Sequence, residues 1–423
     1  MSELSHGILL QEQGRLEEAE ACYRSVLLSE PDNDFVHNRL ALCLLSQQGK
    51  KNLALDSINE AIRIEPDDAF HHGVKALILS DLRKGKEAVD AADRAIALNP
   101  EDSFALAAKA HAYCSLERWA EGEVWSRKAL EADADNSMAA NLLSHTLRLQ
   151  GKSHENEAAV EQLLADDPED SYAHINAGWS ALHRGDHKTA ETHFREALRL
   201  DPESEMAREG LLESFRARSR FYRAYLSYSF FMQRFTGGKQ WMIIIGLYLA
   251  FQFVRRATEQ VSPVIAVVLG LAWLALVMWV WLAPGIGNFL ILLDRTARLA
   301  LDSGEKWQGL VVGGGLLLGI FATGFGIGFD LVPLTYGGIG LLASTVPASL
   351  AFGNDSLPGR IVFGSIAGYV YLATLVIVVL ESERTGGETS PPLVVTLALI
   401  GLIAAVGCTW LGNIRSLRME KED

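Results

Sequence analysis

Five prolines, Pro31, Pro66, Pro100, Pro168 and Pro202, fall on one lattice, with Ala134 in its vacant slot; the six positions are 35, 34, 34, 34 and 34 residues apart. A fixed period of this size restricts the fold more than any other feature of the chain. One 34-residue unit cannot bury its own apolar face, so the units must stack. Before most of these positions comes one phrase, as in "LDSINEAIRIEPDDA", "VDAADRAIALNPEDS" and "ETHFREALRLDPESE". Each phrase joins an apolar face at helical spacing to a proline-acid turn that stops one helix and caps the next. Small residues recur at matching places, at Gly7, Ala76, Ala110 and Gly178, at Ala19, Ala54, Ala88 and Ala190, and at Ala61, Ala95, Ala129 and Ala197. Antiparallel helices approach closely only where side chains are small. The fifth unit departs, with Asn156 and Leu163 at two small positions.

These units resemble the tetratricopeptide repeat family, a helix–turn–helix of 34 residues. The resemblance covers residues 1–204 as six repeats. It implies an α-solenoid whose first (A) helices line a concave groove for a peptide or protein. The family's inward positions project onto Arg39, Cys43, Phe70, Leu77, Phe104, Ala107 and His111, then Asn141, His145 and Arg148, then Tyr172, Asn176 and Trp179. Rings with a few amides and arginines suit an extended peptide, through contact area and pairing to its backbone or a carboxylate. Some family members grip a C-terminal carboxylate with several Lys and Asn residues. Here only Arg39, Asn141, Arg148 and Asn176 could contribute, so that clamp is not expected. The competing reading is that rings such as Phe70 and Phe104 merely pack between neighbouring repeats, whereas Arg148 would be costly to bury without a partner.

Residues 1–210 carry 39 acidic and 22 basic side chains, a net of −17. Such a half repels phosphate chains, and nucleic acid is excluded as a partner. No Walker A loop, nucleophile elbow or HExxH is present, so no catalytic residue, cofactor or metal is expected. His183 and His187 flank a turn at Gly185 and do not share a helical face, while His71 and His72 point to different sides. Cys22, Cys43, Cys114 and Cys408 show no CxxC pairing and read as free thiols facing a reducing cytosol. The start "MSELSHGILLQEQG" lacks the pattern of a secretory signal.

Beyond the last proline the composition changes. Residues 220–241, "RFYRAYLSYSFFMQRFTGGKQW", hold eight aromatic and four basic residues and no acid. On a helical wheel Phe221, Tyr225, Tyr228, Met232 and Phe235 lie within about 40° of one direction. Arg216, Arg220, Arg223 and Arg234 gather on another face. Residues 205–240 therefore read as a capping helix followed by an amphipathic neck on an anionic leaflet. The alternative is that the aromatic face packs on protein.

From residue 241 to 414 the chain reads as a polytopic α-helical bundle of about six helices: 241–254, 261–283, 310–329, 331–352, 361–380 and 392–412. The first, at 14 residues, is short for a span of roughly 20. Residues 284–308 read as a second surface helix, and 415–423 as a short charged cytosolic tail. Loop charges favour six spans over five, with the N-terminal array and the C-terminus in the cytosol, in a membrane expected to be a bacterial inner membrane. Gly315/Gly319, Gly324/Gly328 and Gly364/Gly368 are GxxxG pairs that let helices approach, in the bundle or in a homo-oligomer. The spans hold almost no ionisable residue, which argues against proton coupling. The sequence thus predicts an all-α, membrane-anchored interaction protein that recruits a cytosolic partner, for assembly or quality control of a membrane complex. The rival is a transporter, channel or lipid-handling protein regulated by its repeats.

Overall fold

In a computed structural model the described residues are 2–235, 239–259, 261–354, 356–384, 390–412 and 417. Gly237–Gly238, where the glycine pair is expected to end the neck helix before the apolar run at 241, and the charged tail 415–423, save Leu417, lie outside them. All regular structure among the described residues is helical.

Six helix pairs build the N-terminal half: α1 (Glu3–Glu12) and α2 (Leu16–Ser29), α3 (Asp34–Leu45) and α4 (Lys51–Ile64), α5 (Ala69–Asp81) and α6 (Gly85–Leu98), then α7 (Ser103–Ser115) and α8 (Trp119–Ala132), α9 (Ser137–Gln150) and α10 (Ser153–Asp166), α11 (Ser171–His183) and α12 (His187–Leu200). The proline-acid turns cap as the sequence predicts. Asn33, Asp68, Asp102, Asn136 and Asp170 each accept a backbone N–H of the next helix, and Ser204 does so for α13 (Glu205–Arg216). Such a cap contributes about 1 kcal/mol. Three histidines clip the same turns, since His37, His72 and His174 each meet the carbonyl of the proline six residues before, at 2.9, 2.9 and 3.0 Å.

The alanines at the small positions of the second (B) helices are fully buried. In repeat five Asn156 is buried too, and it is satisfied rather than strained: Ser144 Oγ donates to its Oδ1 at 2.9 Å and its Nδ2 donates to Ser180 Oγ at 3.0 Å. Each A helix packs on the next A helix, whereas B helices make no comparable contact with one another. The A side is therefore the inner side of the array.

After α13 come α14 (Arg220–Gln233), α15 (Lys239–Glu259), α16 (Pro263–Leu292), α17 (Ser303–Gly328), α18 (Val332–Phe352), α19 (Leu357–Ser382) and α20 (Pro392–Leu411). The last five are long and apolar enough to cross a membrane. The surface helix expected over 284–308 does not form. α16 runs through Pro284 to Leu292, a short 3-10 turn covers Ala297–Leu299, and α17 begins at Ser303 under a capping box of Asp302 and Glu305. A proline inside an apolar helix removes one backbone bond, which neighbouring groups make good.

α17 and α18 form a close hairpin. A Cβ at Gly319 would meet Leu342 at 2.8 Å, and one at Gly338 would meet the Thr323 backbone nitrogen at 2.4 Å. Gly315 faces Thr345 at 3.0 Å, but Gly324, Gly328, Gly364 and Gly368 have no neighbour within 4 Å of that position. Among the described residues no neighbouring helix packs on those four.

Candidate functional site

The inner face of the array divides into an open part and a covered part. In the open part, position two of successive A helices carries Phe35, Phe70, Phe104, Met138 and Tyr172, in register with the repeat. Phe35, Phe70 and Tyr172 are 49%, 43% and 57% exposed. Phe70 and Phe104 touch with ring centroids 4.8 Å apart, and Phe104 fills the space a side chain at Gly73 would need. Arg39 lies 5.8 Å from the Phe35 ring. His111 is half-buried with Nε2 3.9 Å from Asp81; burial lowers its pKa despite that carboxylate. Phe35 and Met138 were not singled out by the sequence, although the 34-residue register from Phe70 and Phe104 points to both.

The other projected residues do not line an open groove. Asn176 is buried and donates to Asn141 Oδ1 at 2.8 Å, and Asn141 donates to Asp170 at 3.0 Å, so the two amides tie repeats five and six together. Trp179 meets Phe194 edge-on at 5.5 Å. Arg148 is only 9% exposed. It donates to His145 Nδ1 at 3.0 Å, faces His183 Nε2 at 3.4 Å and lies 5.6 Å from the Trp179 ring. Burial and the Arg148 charge hold His145 and His183 down to about 3, so both imidazoles are neutral acceptors. Burial alone lowers Arg148 to about 10.

The cover is α14. Phe230 stacks on His183 at 3.8 Å, and Arg234 packs on Gly151 in the turn between α9 and α10. Tyr222, Leu226 and Phe230 join the core of α11 and α12. On its other side Phe221, Tyr225 and Tyr228 surround Trp279 of α16, with centroids 5.8 to 6.5 Å away. The neck helix is thus wedged between repeats and bundle, and three rings of its aromatic face pack on Trp279. Phe235 packs on Phe231 at 5.1 Å, while Arg220 stays exposed and Arg223 is half-buried at the surface.

Arg216, also expected at the membrane surface, is buried at the joint of the two halves. It donates to Glu213 at 2.6 Å, to Asn288 of α16 at 2.9 Å and to Glu305 of α17 at 3.0 Å. Asn288 passes the chain of bonds to Gln308 at 2.8 Å, and Gln308 to Ser349 of α18. Beside it Arg218 bridges Glu191 of α12 and Asp294 at 2.9 and 2.6 Å. Gly287 admits Tyr222 and Arg216 to the helix backbone.

Among the described residues one group has the atoms to hold a cation: Asp34, Asp68 and His71 place ligand atoms within 4.8 Å of one another. The His71 nitrogens are already engaged, with Asn38 at 2.8 Å and Asp34 at 3.1 Å, and the set reads as an inter-repeat clip.

A stacked array of helix hairpins with a continuous inner face defines a protein-interaction module. The family model described as tetratricopeptide repeat matches residues 4–69 and 142–205, so these parts of the N-terminal half are tetratricopeptide repeats. The match does not extend into the membrane half. Among solved structures, the array is similar to PilW, a type IV pilus biogenesis factor, at 18% identity over 49% of this chain and 96% of that one, with a TM-score of 0.40. A tetratricopeptide repeat protein from Parabacteroides merdae aligns at 18% identity over 49% and 81%, TM-score 0.44. YrrB, a repeat protein with an unusual peptide-binding site, aligns at 17% over 44% and 95%, TM-score 0.30. No curated protein matches the sequence.

Proposed function

We propose that this protein is a membrane-anchored scaffold that captures a peptide or protein partner on the inner face of repeats two to six and holds it at the bilayer. The observation that supports this reading is the ladder of Phe35, Phe70 and Tyr172. Among the described residues of the array these three are the exposed aromatic rings, beside a few scattered aliphatic side chains such as Leu28 and Val124, and apolar anchors at a fixed spacing are what a bound chain needs. The division it uses is an array to residue 204, a cap and neck to 240, and a membrane domain over 241–414.

The joint supports a cytosolic array over six crossings. Arg216 and Arg218 hold the loop between α16 and α17 against the repeats, so that loop shares their side. α16 then starts on the far side, and α15, about 31 Å long at 21 residues, makes the first crossing. The same buried joint supports a second role, in which partner binding is passed to α16–α18.

The test places a photo-crosslinking residue at position 35 in the full chain within its membrane. One defined partner that crosslinks to this chain and is lost with Phe70→Glu is the expected result. Equal crosslinking in both chains would overturn the reading.

A further inference from the structure

The array has acids to spare, and most arginines on it use one, the half-buried Arg39 beside Phe35 being an exception. Arg15, Arg24, Arg63, Arg94, Arg118 and Arg127 all sit within 3.1 Å of a carboxylate. Arg148 does not. Among the described residues no carboxylate lies within 4.0 Å of it, its Nε has no hydrogen-bond partner, and it is buried. The imidazoles that face it are neutral and only accept its protons. A second cation, Arg234, packs on Gly151, three residues beyond Arg148, and forms no ion pair among the described residues. A buried guanidinium without an anion is costly. Arg148, buried without an anion, and the exposed Arg234, packed on Gly151 three residues further along, form a half-site for an anion.

The place of Arg234 says what kind of anion. It follows the last turn of α14, and Gln240, in the first turn of α15, donates back to the Met232 carbonyl at 3.0 Å. The apolar run 241–254 begins immediately after. The pair therefore stands where the chain enters the bilayer, at headgroup depth, under an array whose net charge an anionic leaflet repels. We propose that Arg148 and Arg234, joined through the turn at Gly151, form a binding site for the phosphate of an anionic phospholipid headgroup, which fixes repeat five to the membrane surface. Arginine presents a planar fork that matches phosphate oxygens, and loss of one charged hydrogen bond weakens such binding about tenfold.

The test uses the full chain in a neutral detergent, titrated with dioctanoyl phosphatidylglycerol and read by retained lipid in native mass spectrometry and by thermal melting. Saturable retention is expected, weakened about tenfold by Arg148→Gln and by the exposed Arg234→Gln. Arg223→Gln, on the same helix but away from the site, should leave it unchanged. Arg234→Gln keeps the test decisive if Arg148→Gln fails to fold. Retention unaffected by either substitution would overturn the proposal. So would an equal shift in melting with inorganic phosphate alone, which would mark a free-phosphate site, or with an acidic tetraglutamate peptide, which would mark a partner's side chain. Loss of crosslinking in the groove leaves this site untouched, and the two readings fail separately.

Discussion

At the scale of single residues the inner face is governed by what is left neutral. His145 and His183 are held down to about 3, against an ordinary 6.5, by burial and by the positive groups around them: Arg148 for both, His111 for His145 and Arg234 for His183. Asp81, beside His111, is the nearest carboxylate in this chain of contacts. The unfolded chain binds these protons below pH 6.5 and the folded chain does not until near pH 3. Stability therefore rises with pH across that window and falls as the solution is acidified. Amide protection in α9 and α11, taken relative to the intrinsic exchange rate at each pH, should fall between pH 7 and pH 5, and His183→Phe, which keeps the stack on Phe230, should blunt the change. These burials were not legible in the sequence. Projecting groove residues from the repeat register assumes an empty groove, and the helix that fills this one is supplied by residues 220–233. Asn156 was legible as an anomaly, but its resolution needed Ser144 and Ser180 from the flanking A helices.

At the scale of elements the turns inside the hairpins repeat as faithfully as the prolines between them. One residue in each A-to-B turn adopts the left-handed conformation: Gly14, Gly49, Arg83, Glu117, Gly151 and Gly185, with φ between 56 and 81°. Four are glycine, and their spacing could have been read beside the prolines. Arg83 and Glu117 hide the same conformation, because only the glycines announce it. An L-residue there costs roughly 1–2 kcal/mol, partly offset by the unfolded-state freedom that glycine adds. Glu117→Gly, at an exposed position, should therefore stabilise the array by about 0.5–1 kcal/mol, read as a higher melting temperature of the repeat signal. An unchanged or lower value would show that this turn is not strained. The helix over 284–308 failed for a related reason: Pro284 looks like a stop, yet Gly285 and Gly287 mark a helix continuing because Val312, Tyr222 and Arg216 press against it.

At the scale of the whole molecule, the repeat half and the membrane bundle were each visible as a class of structure, the first from its period and the second from its apolar runs. Their joint was not, because it is assembled from Glu213, Arg216, Asn288, Glu305 and Gln308, far apart in the chain and unremarkable singly. Arg216 is its centre. Arg216→Met strands Glu213 and Glu305 in a buried place, a loss on the order of 3–5 kcal/mol. Hydrogen exchange should then rise in α13 and at the start of α17, while α3–α8 keep their protection. Uniform loss of protection across the array would show instead that the joint and the repeats fold as one unit.

The wedged α14 has a consequence for where a captured partner can go. A flexible tether of a dozen residues would let the array sweep a hemisphere above the bilayer, giving its cargo a local concentration but no direction. A helix packed on Trp279 on one side and on repeats five and six on the other removes that freedom. Cargo on the Phe35–Tyr172 ladder would be presented at one height and one bearing relative to α16, as a tool is held in a jig.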